Sequence, residues 1–322
     1  MDGEDSSVTA IMRSKKRNSV MVTGGRGFIG RSLGKLLRRQ RYRLISVDVT
    51  PATAGSAEIL CDIGDLAELR NLFQREPVDQ IVHLAAILPT AAQREPLLAT
   101  RVNVQGTVNL LELAREFQLR RFVFGSSVSV YGTCPPDQAV RETDRASPED
   151  LYGVAKLYGE QLGARYRQEH GLEFVSLRIG RVVGPGARSA TSAWRSEIFE
   201  RLGTVGSAQI KIPYADAERI LLVHVEDVAR MLLNLLQVKY TAHDIYNAAC
   251  ESVVVEELRT EVERLNPDVR LTPEGRVVVG NPRRVDWSRL AGEFRFGTVS
   301  IFEQLRAARG NRAPSPQPDL SR

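Results

Sequence analysis

Short apolar runs alternate with helix-like patterns through the first half of the chain. SVMVT (19–23) precedes a stretch with apolar residues at Phe28, Ile29, Leu33, Leu36 and Leu37, the spacing of one buried helix face. RLISVD (43–48) and EILCD (58–62) read as strands, followed by a helix over 65–75 and the strand DQIVHLAA (79–86). A helix around 97–117 leads into RRFVFGSS (120–127), and a helix over 151–169 leads into LEFVSLRI (172–179). Strands that are apolar nearly throughout, separated by helices, predict a parallel sheet covered on both faces. Right-handed crossovers then make the fold class α/β, a doubly wound parallel sheet.

After about residue 180 the rhythm loosens. Residues 184–219 hold Gly, Pro, Arg and Ser without long periodicity, LLVHV (221–225) reads as a strand, and helices are expected over 226–237 and 255–265. The organisation that follows is a polar tail over 1–18, a nucleotide-binding domain with the catalytic candidates over 19–180, a mainly substrate-binding lobe over 181–305, and a tail over 306–322. Both tails are expected to be disordered, being polar or Pro-rich with little to bury.

Composition narrows the function classes. With 322 residues, 43% hydrophobic and 26% charged, the chain is ordinary globular material. No apolar run approaches the roughly 20 residues of a membrane span, and the start lacks an apolar signal stretch. Cys61, Cys134 and Cys250 are too scattered for a disulfide framework or a CxxC metal site. His83, His170, His224 and His243 show no metal-ligand spacing, so no metal is expected and the reducing cytoplasm is the default. The net charge is +5, but four of those five charges fall in residues 1–20 and 306–322. The body therefore carries no net-charge signature of a nucleic-acid binder.

The first strand runs into Thr23-Gly24-Gly25-Arg26-Gly27-Phe28-Ile29-Gly30. Glycines at this spacing, between strand and helix, permit the sharp turn and the close backbone approach that a pyrophosphate needs. The helix N-terminus behind them offers free N–H groups to the phosphates. Asp48 ends the second strand, where a carboxylate can accept from both adenosine ribose hydroxyls and would repel a 2′-phosphate. Val49, Thr50 and Pro51 follow without a basic group, so NAD is favoured over NADP. Arg26 alone could reach toward the adenosine end, and a solvated side chain is the simpler expectation. Asp62 could bond the adenine amino group or cap the next helix near Asp65. The small residues of His83-Leu84-Ala85-Ala86 let backbone lie along the cofactor, while His83 alone reads as a structural histidine.

Tyr152 and Lys156 stand at i and i+4 near the start of a predicted helix, sharing one face, and Ser126 and Ser127 end the fifth strand. A phenol of pKa about 10 is a poor base at neutral pH, and a neighbouring Lys⁺ together with the nicotinamide charge would lower it. Lys156 could also hold the nicotinamide ribose, and Ser127 could bond the substrate oxygen.

With these motifs in order, residues 19–305 resemble the extended short-chain dehydrogenase/reductase family, the NAD-dependent epimerase/dehydratase group, with a Rossmann-type sheet. TGGRGFIG, Asp48, CDIGD, HLAA, Pro96 with Asn103 in NVQGTVNLLELA, SSVSVYG, YGVAK, LRIGRVVGPG and HVEDVA carry the resemblance. It implies that Gly24, Gly27, Phe28, Ile29 and Gly30 face the pyrophosphate and Asp48 holds the ribose. It further implies that Asp62 and Ile63 flank adenine, that Leu84, Ala85 and Ala86 line the cofactor, and that Asn103 supports the site. Ser127, Tyr152 and Lys156 become the catalytic triad, with Gly180 near the nicotinamide carboxamide. Family members often form dimers through the helices around 97–117 and 151–169, which makes a homodimer an expectation.

Departures from the family pattern bear on substrate. Val128-Ser129 stand where dehydratases carry Asp-Glu, which disfavours dehydration. Arg181-Val182-Val183 replace the Asn-Val-Tyr of nucleotide-sugar enzymes, and Arg219 is one position out of register with their usual arginine. The stretch Ile87-Leu88-Pro89-Thr90 resembles members acting on free sugar acids or small hydroxy acids. Arg181, Arg188 and Arg195 could then meet a substrate carboxylate, with Arg181 as the first candidate. The expected activity is hydride transfer between NAD and a secondary alcohol of a sugar or sugar-acid-like substrate, with dehydrogenase and epimerase outcomes sharing the machinery. A UDP-sugar 4-epimerase is the alternative, and a non-catalytic NAD(H)-sensing or RNA-binding relative is the reading from another class.

Overall fold

The computed structural model describes residues 18–50, 58–187 and 192–310. The two predicted tails lie outside the described residues, apart from Asn18 and residues 306–310. Seven parallel strands form the main sheet in the order β3-β2-β1-β4-β5-β7-β11. They are β1 (Ser19–Thr23), β2 (Arg43–Asp48), β3 (Ile59–Leu60), β4 (Gln80–His83), β5 (Arg121–Ser127), β7 (Glu173–Ile179) and β11 (Ile245–Asn247). The order reverses direction between β1 and β4, where Thr23 lies beside His83. A crevice opens beyond the strand ends at such a switch point.

Alternation within the buried strands divides the core. Val20 and Val22 face a cluster with Leu33 and Leu37 of α1 (Phe28–Arg39), while Met21 between them faces the opposite cluster. That second cluster takes Leu69 and Leu72 from α2 (Leu66–Arg75), and Leu110 and Leu113 from the segment predicted over 97–117. The segment is not one α-helix. After a short α3 (Pro89–Arg94), α4 (Pro96–Ala99) leads through a π-helical turn at Thr100–Gln105 into α5 (Gly106–Glu116). The wider turn carries Asn103, a placement common where a helix serves a site.

Helix α6 (Leu151–His170) lies on β5 and β7. Asp150 caps it by accepting from the Gly153 N–H at 2.6 Å. Gly163 lets it sit close, since a Cβ there would come within 2.1 Å of the buried Phe174 ring. Glu160 anchors the same helix. Its Oε1 accepts from Ser126 Oγ of β5 at 2.5 Å and from Arg178 Nε of β7 at 2.9 Å. Arg178 Nη2 reaches Oε2 at 2.7 Å, and the two side chains are only 3% and 0% exposed.

Past residue 180 the chain divides its elements between the two bodies. β8 (Arg181–Val183), β10 (Arg219–His224) and β12 (Glu251–Val254) form a small sheet, and β9 (Ala208–Tyr214) pairs with β13 (Val269–Arg276). A short pair joins β6 (Ala139–Val140) to β14 (Arg284–Val285). A third apolar cluster fills this lobe with Trp194 and Ile198 of α7 (Trp194–Glu200) and Leu258 and Val262 of α9 (Val255–Leu265). The sequence boundary at 180 does not hold every later element in the lobe, because α8 (Val225–Gln237) packs on α1 and β11 extends the main sheet. Met231, Leu232, Leu235 and Leu236 of α8 are buried there, and Arg121 Nη1 donates to the Leu235 and Val238 carbonyls at its C-terminus. After α10 (Ser288–Phe294), α11 (Ile301–Gly310) makes residues 306–310 helical where the tail was expected to begin. Ile301 and Leu305 are buried in the third cluster, and Arg306 pairs with Glu261 at 2.8 Å.

The Glu160–Arg178 pair yields a stability prediction. Arg178→Met leaves a buried carboxylate without its charge partner and should cost about 3–5 kcal/mol. Glu160→Met with Arg178→Met should recover most of that loss in urea unfolding. Equal destabilisation by the single and double variants would contradict this account of the pair.

Candidate active site

The glycine turn follows β1 at the switch point between β1 and β4. Gly24 has φ +66°, and a Cβ there would lie 2.8 Å from the Ala85 backbone nitrogen. Only glycine suits both demands. Gly27 N donates to the Gly24 carbonyl at 2.9 Å and stands at the N-cap of α1 with no side chain to cap it. The first-turn N–H groups of Phe28, Ile29 and Gly30 therefore lack intrahelical acceptors, as suits an anion. Arg31, which sequence reasoning missed, donates to the Arg26 carbonyl at 2.6 Å and also to the Gly186 carbonyl. It ties the turn after β8 to the glycine loop.

Asp48 stands where the strand pattern placed it, at the end of β2. Its two oxygens accept from Arg26 N and Thr50 N, each at 3.0 Å. The Arg26 guanidinium turns to the Thr50 carbonyl at 3.3 Å. Asp62 accepts from Gly64 N at 2.8 Å and pairs with Arg101. Asp65, not Asp62, caps α2, accepting from Ala67 N and Glu68 N. The Ile63 side chain is buried in the core, and its carbonyl accepts from Asn109 Nδ2 at 2.9 Å.

Just before the glycine turn, Thr23 Oγ1 accepts from the Leu84 and Ala85 N–H groups at 3.2 and 3.3 Å. Asn103 clamps the loop beyond Ala86, accepting from Ile87 N at 2.7 Å and donating to Ile87 O at 2.9 Å. His83 is a structural histidine, with Nδ1 at 2.7 Å from Thr23 Oγ1 and Nε2 at 3.1 Å from Thr107 Oγ1. Burial, reinforced by the Lys156 charge, holds its pKa well below the ordinary imidazole value.

Ser127, Tyr152 and Lys156 come together where β5 meets α6. Ser127 Oγ accepts from Ser129 N and donates to Ser129 Oγ, each at 3.1 Å, near the Tyr152 phenol. Ser129 Oγ in turn donates to Asn281 Oδ1 at 3.2 Å, bringing a C-terminal side chain against the serine pair. Nothing in the local sequence around Asn281 signals that contact. Burial and then the Asp150 charge push Tyr152 up to about 12, while Ser127 and the Arg195 charge pull it down. The Lys156 ammonium donates to the Gly125 carbonyl at 2.7 Å and lies 5.6 Å from the Tyr152 ring centroid. Burial lowers Lys156 to about 8, against the opposing charge of Glu160.

Beyond Tyr152, Gly180 follows β7 and delivers the chain to Arg181. Arg181 Nε donates to Tyr214 Oη at 2.7 Å, and its guanidinium lies 5.0 Å from the Tyr214 ring centroid. Trp194 meets Tyr214 edge-on at 6.4 Å, and Arg195 sits 5.8 Å from the Trp194 ring. Arg188 lies outside the described residues.

The sequence profile of the NAD dependent epimerase/dehydratase family matches residues 20–249. The chain belongs to that family. It is an NAD-dependent enzyme, an extended short-chain dehydrogenase/reductase of the oxidoreductase/epimerase kind. The mitochondrial L-threonine 3-dehydrogenase of Bos taurus is 26% identical over 263 residues, covering 79% of this chain and 70% of the relative. In fold it is similar to L-threonine dehydrogenase from Phytophthora infestans (TM-score 0.81, 23% identity, 91% of this chain and 98% of that one). It is also similar to Thermus thermophilus UDP-glucose 4-epimerase in complex with NAD (TM-score 0.76, 24% identity, 91% and 98%). The residues present fit the dinucleotide of this family: an uncapped helix start, a turn that a Cβ would fill, and a carboxylate at the end of β2.

The lowered Lys156 pKa makes a prediction about the cofactor-free enzyme. Below about pH 8 this lysine is protonated in both folded and unfolded chains. Between about 8 and its ordinary 10.5, the unfolded chain keeps a proton that the folded chain releases. Its contribution to stability therefore rises with pH across that window. The urea midpoint of wild type minus that of Lys156→Met should grow from pH 8 to pH 10. A flat difference would mean that burial leaves this lysine's proton affinity unchanged.

Proposed function

We propose that Tyr152 is the acid/base of a secondary-alcohol dehydrogenase acting on a sugar acid or small hydroxy acid. The observation that supports this reading is the buried Lys156 ammonium 5.6 Å from the Tyr152 ring, on a helix that packs against the strand ending in Ser127. In it, the Gly24–Gly30 turn and the α1 amides hold the pyrophosphate, and Asp48 holds the adenosine ribose. Asp62 and Ile63 lie at adenine, Leu84, Ala85, Ala86 and Gly180 lie along the nicotinamide half, and Asn103 holds the loop that carries them. NAD supplies the hydride acceptor. Tyr152 removes the hydroxyl proton, Ser127 holds the same oxygen as its charge changes, and Lys156 keeps positive charge beside the ribose.

The substrate class is supported by the unusual Arg181 and by the name of the bovine relative, since L-threonine carries a secondary alcohol and a carboxylate. A 4-epimerase of UDP-sugars is the second reading, supported by the Thermus likeness. Dehydration is disfavoured by Val128-Ser129 after the catalytic serine. Tyr152→Phe should leave NAD binding near wild type and lower turnover by at least ~10²-fold. An active variant would overturn the assignment.

A cytoplasmic homodimer completes the proposal. No described helix is long and apolar enough to cross a membrane, and the three cysteines are free. Leu151, Val154 and Tyr158 are exposed along α6, with Leu97 and Leu98 exposed on the neighbouring α4. A second copy of this chain would cover that apolar stripe. Light scattering should give twice the chain mass, and Val154→Lys should give the single-chain mass. A monomeric wild type would contradict the pairing.

A further inference from the structure

Among the described residues, Arg195 near Tyr152 and its neighbour Arg181 have no carboxylate partner. Arg181 opens β8 and Arg195 lies in the first turn of α7, and the Gly184 N–H, donating to the Arg195 carbonyl at 3.1 Å, pins these segments together. The two fully buried arginines of the main sheet, Arg121 and Arg178, have Glu173 and Glu160 as charge partners. Among the described residues, neither Arg181 nor Arg195 forms an ion pair. Arg181 Nη1 and Arg195 Nε are buried nitrogens without a hydrogen-bond partner among the described residues. Burial and the nearby Arg181 charge lower Arg195 to about 10.

A fold does not keep two like charges close together, each with an unmet donor, for its own stability. The polar neighbour they do have is neutral: the Tyr214 hydroxyl accepts from Arg181 Nε at 2.7 Å, with Trp194 forming the apolar edge. Arg195 also acts on the Tyr152 phenol across the same space. Donors directed at an anion, in a fork that matches two oxygens, are the recognition chemistry of a carboxylate.

We propose that Arg181 and Arg195 form one anion-binding site next to Tyr152, which takes the carboxylate of the alcohol substrate. This rests on the dehydrogenase reading above and adds to it the group that orients the substrate. The carboxylate completes both guanidinium donor sets and fixes the hydroxyl at the phenol. A neutral sugar offers no such anchor. A nucleotide sugar would have to seat its diphosphate there, farther from the reacting carbon.

The test uses the NAD-loaded enzyme and a probe that cannot react. 2-Hydroxy-2-methylpropanoate is a tertiary alcohol bearing a carboxylate, so it has no hydride to give, and its amide is the uncharged control. Calorimetry should show the acid binding at least about tenfold more tightly than the amide. Arg181→Gln and Arg195→Gln should each remove that preference, Arg195→Lys should keep part of it, and NAD affinity should stay at wild type in all three, which also reports their folding. Equal binding of acid and amide by wild type would overturn the site. So would a preference that survives both Gln variants, or tight UDP binding lost on Arg181→Gln. Acid binding of the expected pattern, with no NADH formed from any secondary alcohol, would support the site while the dehydrogenase reading fails.

Discussion

One carboxylate holds Ser127, Tyr152 and Lys156 in register. Glu160 bonds to Ser126 on β5 and Arg178 on β7 from a helix that also carries Tyr152 and Lys156. Tyr152 must meet Ser127, at the end of the same β5, to within a hydrogen bond. A rigid three-way junction one to two turns away sets that distance. The arrangement is costly to break from one side, because the remaining charge would sit at 0–3% exposure. Gly163 adds to it by seating the helix against the Phe174 ring with no side chain between them.

Around that junction the site is a balance of charges in poor contact with water. Burial alone would make Tyr152 a weaker acid and Lys156 a stronger one. Asp150, which caps α6, works against ionisation of the phenol, while Arg195 works for it. The capping residue that starts α6 thus opposes ionisation of the phenol, and an arginine from the other lobe partly opposes that effect. Proton affinity at Tyr152 depends on how the two halves of the molecule meet.

That meeting is made by chain crossing between bodies rather than by a simple hinge between two blocks. β8 leaves the end of β7 directly, α8 and β11 return to the main sheet, and Asn281 comes back to Ser129 from beyond β13. The seam that results carries Ser127, Tyr152, Arg181 and Arg195 together.

The amino-acid sequence alone determined what depends on near neighbours along the chain. The alternation of buried strands and helices from 19 to 179, the glycine turn, Asp48 at a strand end and the shared face of Tyr152 and Lys156 are all set within about a turn or a strand. The main sheet, the family and the NAD chemistry follow from those local patterns. Tertiary structure alone decided the rest. Asn103 sits in a π-helical turn because its amide must reach Ile87, and α11 runs to Gly310 because Ile301 and Leu305 find a core that no local pattern reveals. Burial and Asp150 raise Tyr152 against the pull of Ser127 and Arg195, and the lysine ammonium is turned to the Gly125 carbonyl. Charge acts through space and burial, and neither is written in the spacing of residues along a chain.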